Sequence, residues 1–168
     1  HASFAATQRY RGAWLDLFSG LSRATGMYVV AGSFLLLAPN GRYHNRADLF
    51  SPDGDHAWQD KLQLTGFEKK TGAIDGGDAL KVFDIGDLRV GIAVCYDSEF
   101  PLPVRAQREA GAQLLLVPSC TDTAAGAARS GRLIGRQSWM AKTVATTDKS
   151  TGVGYAGDWT QVAWGAVG

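Results

Sequence analysis

Apolar positions with a helical period open the chain. Trp14, Leu17, Phe18 and Leu21 fall at i, i+3, i+4 and i+7, so Ala13 to Thr25 reads as an amphipathic helix, with Gly26 at its C-terminal cap. Met27 to Leu37 is apolar and partly β-branched, which suits a buried strand. Pro39-Asn40-Gly41 marks a turn, and Arg42 to Phe50 reads as the return strand of a hairpin. A second turn at Ser51-Pro52-Asp53-Gly54 leads into a short strand towards Leu62. The polar, Gly-rich stretch from Thr65 to Asp78 reads as a functional loop. Leu80 to Ile85 and Leu88 to Val94 form a hairpin across Gly86-Asp87. Pro101 to Ala110 reads as a helix closed by Gly111, and Gln113 to Val117 as a strand buried on both faces. Ala127 to about Val144 is helix-compatible, with Leu133, Ile134, Gln137 and Met140 on one side. Beyond Thr146 the Gly/Ser/Thr-rich pattern, with Trp159 and Trp164 isolated in it, assigns nothing. Hairpins interleaved with helices, and a strand–helix–strand unit around residues 88 to 117, predict an α/β or α+β layered domain.

Composition narrows the partners. The chain has 168 residues, 45% hydrophobic and 20% charged, with a net charge of +1. One domain with a real core is expected from that length. Near-neutral charge without a run of four basic residues gives no case for nucleic acid or an anionic membrane. The longest apolar stretch, Met27 to Ala38, is interrupted by Gly32 and Ser33. It falls short of the ~18–20 residues that span a bilayer. The two cysteines, Cys95 and Cys120, are too few for a disulfide framework and form no C-x-x-C pair. Free thiols in a cytoplasmic setting are expected, with a single Cys95–Cys120 bridge left open by the spacing. The first residue is His1, and upstream sequence is expected to precede it.

The most informative segment runs from Gly91 to Pro101. An apolar strand ends at Cys95 and a helix begins within a few residues. A strand end holds a sulfur rigidly, and backbone N–H groups near a helix start stabilise a thiolate or an oxyanion. The plainer alternative is a small buried thiol at a strand end, since free cysteine is among the most buried residue types.

Gly91-Ile92-Ala93-Val94-Cys95-Tyr96-Asp97-Ser98-Glu99-Phe100-Pro101 resembles the nucleophile region of the nitrilase superfamily of carbon–nitrogen hydrolases, where a strand runs into Cys-Tyr-Asp and then Phe-Pro. Upstream, Trp58 to Glu68 is similar to the family's lysine segment, in which a strand ends at Lys and a Phe-Glu pair follows. Downstream, Leu114 to Thr123 is similar to the strand and loop that wall the site. Three motifs in the family's order cover roughly residues 10 to 137. The resemblance implies a partial four-layer α-β-β-α sandwich that dimerises, or assembles further, by extending the layers. It implies hydrolysis of non-peptide C–N bonds in a small-molecule amide or nitrile substrate, amides being favoured, through a cysteine acyl-enzyme. Cys95 is then the nucleophile, Lys61 and the Tyr96 backbone N–H stabilise the oxyanion, and Glu68 positions Lys61. Ser119, Glu99 and Asn45 are substrate-pocket candidates; a turn residue after a strand is the plainer reading of Ser119, and a structural strand-end residue that of Asn45. No cofactor and no metal are implied.

The match also departs from the family. The family's general base is a glutamate in a Pro-Glu segment ahead of the lysine. Here the glutamates are Glu68, Glu99 and Glu109, all after Lys61. General base catalysis usually contributes ~10²–10⁴, so the chain as given is expected to be nearly inactive. Residues 132–137 resemble the start of the family's next helix, but residues 138–168 diverge, and a single incomplete, truncated domain is expected. Two rival readings follow. One is a catalytically silent fragment or pseudoenzyme. The other is a Cys–His hydrolase with His44 or His56 as base, which leaves the Lys61 segment unexplained. His44, His56, Cys95 and Cys120 match no zinc signature. Gly72 to Gly77 is no nucleotide-binding loop.

Overall fold

Two helices begin the chain, α1 (Ala2–Thr7) and α2 (Arg11–Thr25), joined by a 3-10 turn at Gln8–Tyr10. The computed structural model describes residues 2–120 and the backbone of three later strands at residues 143–148, 153–158 and 163–166. It forms two units, His1–Ala79 and Leu80–Gly168. In the first, a sheet is built from β1 (Val29–Leu37), β2 (Tyr43–Phe50), β3 (His56–Asp60) and the short β4 (Ile74–Asp75).

Helix α2 ends where expected. Gly26 takes a left-handed φ of 67° and its N–H returns to the Ser22 carbonyl. The buried face, however, is rotated from the one expected. Trp14 lies 5.5 Å from Phe34, and Phe18 6.4 Å from Phe50. Leu17 and Leu21 are instead 64% and 44% exposed. The reason is polar. Arg11, on the inward stripe with Trp14, Phe18 and Ser22, reaches the fully buried Asp48 of β2 through two hydrogen bonds of 2.5 and 2.8 Å. Trp14 Nε1 donates to the same carboxylate at 3.2 Å. One turn from the helix end, the buried Ser22 hydroxyl meets the Ser51 carbonyl at 2.6 Å. A buried carboxylate left unpaired is costly, so its partners dictate which stripe faces the sheet.

Strand β2 is central. It pairs antiparallel with β1, from Val29↔Phe50 to Leu37↔Tyr43, and antiparallel with β3, from Arg46↔Asp60 to Phe50↔His56. Beyond the end of β3, Tyr43 and His44 pair in parallel with Ile74 and Asp75 of β4. The stretch from Thr65 to Asp78, expected as a loop, therefore holds an element at each side: helix α3 (Gly66–Thr71) and β4. Ala47, Leu49, Phe50 and Ile74 form the apolar centre of this unit.

In the second unit, β5 (Val82–Ile85) and β6 (Leu88–Ile92) make the expected hairpin. A 3-10 turn at Cys95–Glu99 and helix α4 (Pro101–Glu109) follow, then β7 (Leu114–Ser119). Strand β6 ends at Ile92, short of the expected Val94, and β7 runs on through Pro118, past the expected Val117. Strands β6 and β7 are parallel, as a helical crossover requires. The sheet continues through β8 (Thr143–Asp148), β9 (Val153–Asp158) and β10 (Ala163–Ala166), in the order β10-β9-β8-β7-β6-β5. The helix expected from Ala127 lies outside the described residues up to 142, and its last two positions, Thr143 and Val144, belong to β8. The tail that the pattern left unassigned carries β9 and β10. Mixed α/β architecture is thus present in both units.

Helix α4 is pinned to β6 by Gln107. This side chain is buried, and its Nε2 donates to the Ile92 carbonyl at 3.0 Å and to the Lys81 carbonyl at 3.2 Å. Gly91 makes room for it, because a Cβ there would lie 2.8 Å from the Gln107 Cδ.

Candidate active site

Strand β6 delivers Cys95 to a sharp corner. After the buried Ala93 and Val94, Cys95 adopts φ 51°, the one non-glycine residue in left-handed backbone among the described residues. Such a conformation costs of order 1–3 kcal/mol and persists where neighbours over-determine it. Here they do. The Asp97 carboxylate accepts the Val94 N–H at 3.1 Å, and the Ser98 hydroxyl donates to the Cys95 carbonyl at 2.7 Å. Both Asp97 and Ser98 are buried. The corner sets a half-buried thiol on the first residue of the 3-10 turn. The Ser119 hydroxyl, at the end of β7, reaches that sulfur at 3.5 Å. Tyr96 follows in the turn with its ring edge-on to Phe100 at 5.0 Å, and Glu99 closes the turn, half-buried.

The first unit holds a second cluster. Lys61, buried one residue beyond β3, is tied to β2 by its N–H, which donates to the Asn45 carbonyl at 2.8 Å. Its Nζ donates to both oxygens of Glu68, at 2.9 and 2.7 Å. Glu68 sits in the first turn of α3, where a capping box forms: Thr65 Oγ1 accepts the Glu68 N–H at 3.2 Å, and the Thr65 N–H donates to Glu68 Oε2 at 2.7 Å. The Thr65 hydroxyl adds a bond at 2.9 Å and Asn45 Nδ2 another at 3.2 Å. Burial opposes ionisation of Glu68. The hydrogen bonds from Lys61 and Thr65, with the lysine's charge, outweigh it and hold the carboxyl below its ordinary value. The result is a buried ammonium held at a fixed point by a saturated carboxylate.

The predicted residues are thus gathered in two groups. Lys61, Glu68 and Asn45 share one cluster; Cys95, Tyr96, Glu99 and Ser119 lie at the corner after β6. Asn45 is a partner of Glu68. Thr65, Asp97 and Ser98 were missed. Thr65 had a legible signal, since Thr65-Gly66-Phe67-Glu68 carries the T-x-x-E capping signature. Asp97 and Ser98 had none beyond their place in the Cys95 motif.

The histidines proposed as alternative bases have other surroundings. His56 Nε2 is 2.7 Å from Asp48 Oδ1, and the ring stacks on Phe50 at 5.1 Å. Asp48 feels burial first, which disfavours its charge, but the bonds and charges of Arg11 and His56 keep its carboxyl below the ordinary value. His44, on β2, has a buried Nδ1 without a hydrogen-bond partner. Both cysteines are free thiols, Cys120 exposed. Among the described residues, no group of three or more His, Cys, Asp or Glu could hold a metal, and no helix is long and apolar enough to cross a membrane.

The chain is similar to known proteins. The carbon-nitrogen hydrolase family profile matches residues 1–148. The probable hydrolase YhcX of Bacillus subtilis (strain 168) is 34% identical over 113 residues, covering 67% of this chain and 22% of that protein. Omega-amidase NIT2-B of Xenopus laevis is 25% identical over 163 residues, covering 89% of this chain and 56% of that one. The chain thus spans about half the length of the omega-amidase and less of YhcX. Among solved structures, Saccharomyces cerevisiae Nit3, a member of branch 10 of the nitrilase superfamily, superposes with a TM-score of 0.82 at 19% identity, over 93% of this chain and 62% of that one. A variant of the amidase from Nesterenkonia sp. AN1, carrying acrylamide added at its active-site cysteine, gives a TM-score of 0.73 at 25% identity, over 91% of this chain and 64% of that one. Through a family match that runs across both units, this chain belongs to the carbon-nitrogen hydrolase family.

Proposed function

We propose that this chain carries the nucleophile and oxyanion-stabilising residues of an amide hydrolase, with Cys95 forming an acyl-enzyme. The observation that carries the reading is the left-handed corner at Cys95, where backbone strain is maintained by two buried side chains in order to present a thiol. In the proposed reaction Cys95 Sγ adds to the carbonyl carbon of a primary amide. The C–N bond then breaks, and ammonia leaves with the thiol proton, giving a thioester. Water hydrolyses the thioester to the acid and restores the thiol. Lys61, fixed by Glu68, and the Tyr96 N–H would stabilise the oxyanion. The general base would be the glutamate that the family carries ahead of its lysine segment, for which residues 1–61 offer no candidate. Amides are favoured over nitriles because the relatives include omega-amidases and an amidase that has been solved with butyramide.

The test places the family's Pro-Glu segment ahead of this chain, to supply the general base, and uses a panel of short aliphatic amides and nitriles. Ammonia release from butyramide is expected from that protein, with no release after Cys95→Ala. Lys61→Met is expected to lower kcat/KM by ~10²–10³, the usual cost of one oxyanion donor. Iodoacetamide should label Cys95 faster than Cys120. Turnover that survives Cys95→Ala overturns the reading. Preferential labelling without turnover of any substrate favours the silent-protein alternative.

A further inference from the structure

We infer that the Ser119 hydroxyl acts directly on the Cys95 sulfur, as a hydrogen-bond donor that favours its ionised form, and is not simply a turn residue or a substrate contact. The inference rests on the proposed role of Cys95 and adds a further catalytic residue to it. The placement is built into the sheet. Strands β6 and β7 run in parallel with Val90 opposite Leu114, Gly91 opposite Leu115 and Ile92 opposite Leu116. The same register carried onward sets Cys95 opposite Ser119. One bond beyond the ladder, the Ala93 N–H still reaches the Leu116 carbonyl at 3.0 Å.

Pro118 then stands where β6 has already turned away into the Cys95 corner, so its missing N–H leaves no broken rung. Alternation along β7 puts Ser119 on the face of the buried Leu115 and Val117 and turns Cys120 to the other side. The Ser119 oxygen meets the Cys95 sulfur at 3.5 Å. A hydroxyl rotates to suit its partner, and a thiolate accepts where a thiol accepts only weakly. The bond is part-buried, and Val117, two residues before Ser119 on the same face of β7, is buried.

This donor has a signature that plain packing lacks. A bond that raises the thiolate fraction tenfold also lowers the intrinsic nucleophilicity of that thiolate by about threefold, from a Brønsted slope of about 0.4–0.5. The two effects oppose each other, and pH decides which prevails. Near pH 7 the larger thiolate population dominates, and losing the donor slows alkylation by about threefold. At the alkaline end of the range, where thiolate population no longer limits the rate, losing the donor speeds alkylation by about threefold.

The experiment measures iodoacetamide alkylation of Cys95 by peptide mass spectrometry in the full chain from pH 6 to 10. The sulfur displaces iodide, forms a C–S bond and releases its proton to buffer. Cys120 is the internal reference. Ser119→Ala is expected to give a rate profile that crosses the parent's, and Ser119→Thr, which keeps the hydroxyl, to restore it. An unchanged profile, a change of the same sign at all pH values, or a Thr variant that behaves like Ala overturns the inference. Its failure is separable from that of the function. Amide turnover surviving Cys95→Ala would sink the nucleophile while leaving a crossing profile intact, and an uncrossed profile with turnover lost in Cys95→Ala would sink only the role of Ser119.

Discussion

Removing the Glu68 side chain tests the Lys61 cluster most sharply. Glu68 receives five hydrogen bonds, two from Lys61 Nζ, two from Thr65 and one from Asn45. Lys61 is only 3% exposed. In Glu68→Ala an ammonium loses its counter-charge inside the protein, which typically costs about 3–5 kcal/mol. Loss of the capping box at α3 adds a few tenths to about 1 kcal/mol. In Lys61→Met the carboxylate keeps the two Thr65 donors and Asn45, so the cost should be smaller, about 1–3 kcal/mol. With both changes together the unpaired charge disappears, and the double variant should resemble Lys61→Met more than the sum. The pair should therefore couple by at least about 2 kcal/mol in a double-mutant cycle. Urea denaturation followed by tryptophan fluorescence, with the slope checked for constancy, measures all four corners. Single costs that are equal and add within about 0.5 kcal/mol would refute the claim that Glu68 compensates a buried charge.

Other expectations follow from the packing and the two low-lying carboxyls. Gly91→Ala brings a methyl 2.8 Å from the buried Gln107 side chain, whose bonds to Ile92 and Lys81 must break for it to move; a loss of about 2–4 kcal/mol in chemical denaturation is expected. Trp14→Ala should cost about 2–3 kcal/mol, because the ring is only partly buried, while Leu17→Gln should change stability by less than about 0.5 kcal/mol; equal effects would contradict the observed face of α2. Asp48 and Glu68 both titrate below their ordinary values of 3.8 and 4.5. The folded state thus binds fewer protons than the unfolded one, so their contribution is complete above the ordinary values and vanishes as the pH falls through the depressed ones. The urea midpoint should fall with acidification below the ordinary carboxyl range, and Asp48→Asn should flatten that fall.

The local pattern sufficed where local chemistry decides. Gly26 had to be a cap because its backbone needs positive φ, the two hairpins followed from turn residues between apolar runs, and the Cys95 motif marked a strand with a helix a few residues on, though not the 3-10 turn between them. The residue types of the candidate site came from the resemblance instead, since Lys61, Glu68 and Cys95 stand in segments that follow the family's order. Local pattern failed where a distant partner decides. The inward stripe of α2 is set by Asp48, which lies 37 residues from Arg11, so periodicity alone pointed to Leu17 and Leu21. The stretch from Thr65 to Asp78 looked like a loop because a six-residue helix and a two-residue strand are too short to show a period. Their stability comes from the capping box and from pairing with β2. Ser119 read as a pocket candidate or a plain turn residue, and only the parallel register of β6 and β7 brings its hydroxyl to the sulfur. Sequence carries the chemistry of each group and the conformations that one or two residues enforce. Which groups meet across strands depends on register and burial, and those exist only once the chain has closed on itself.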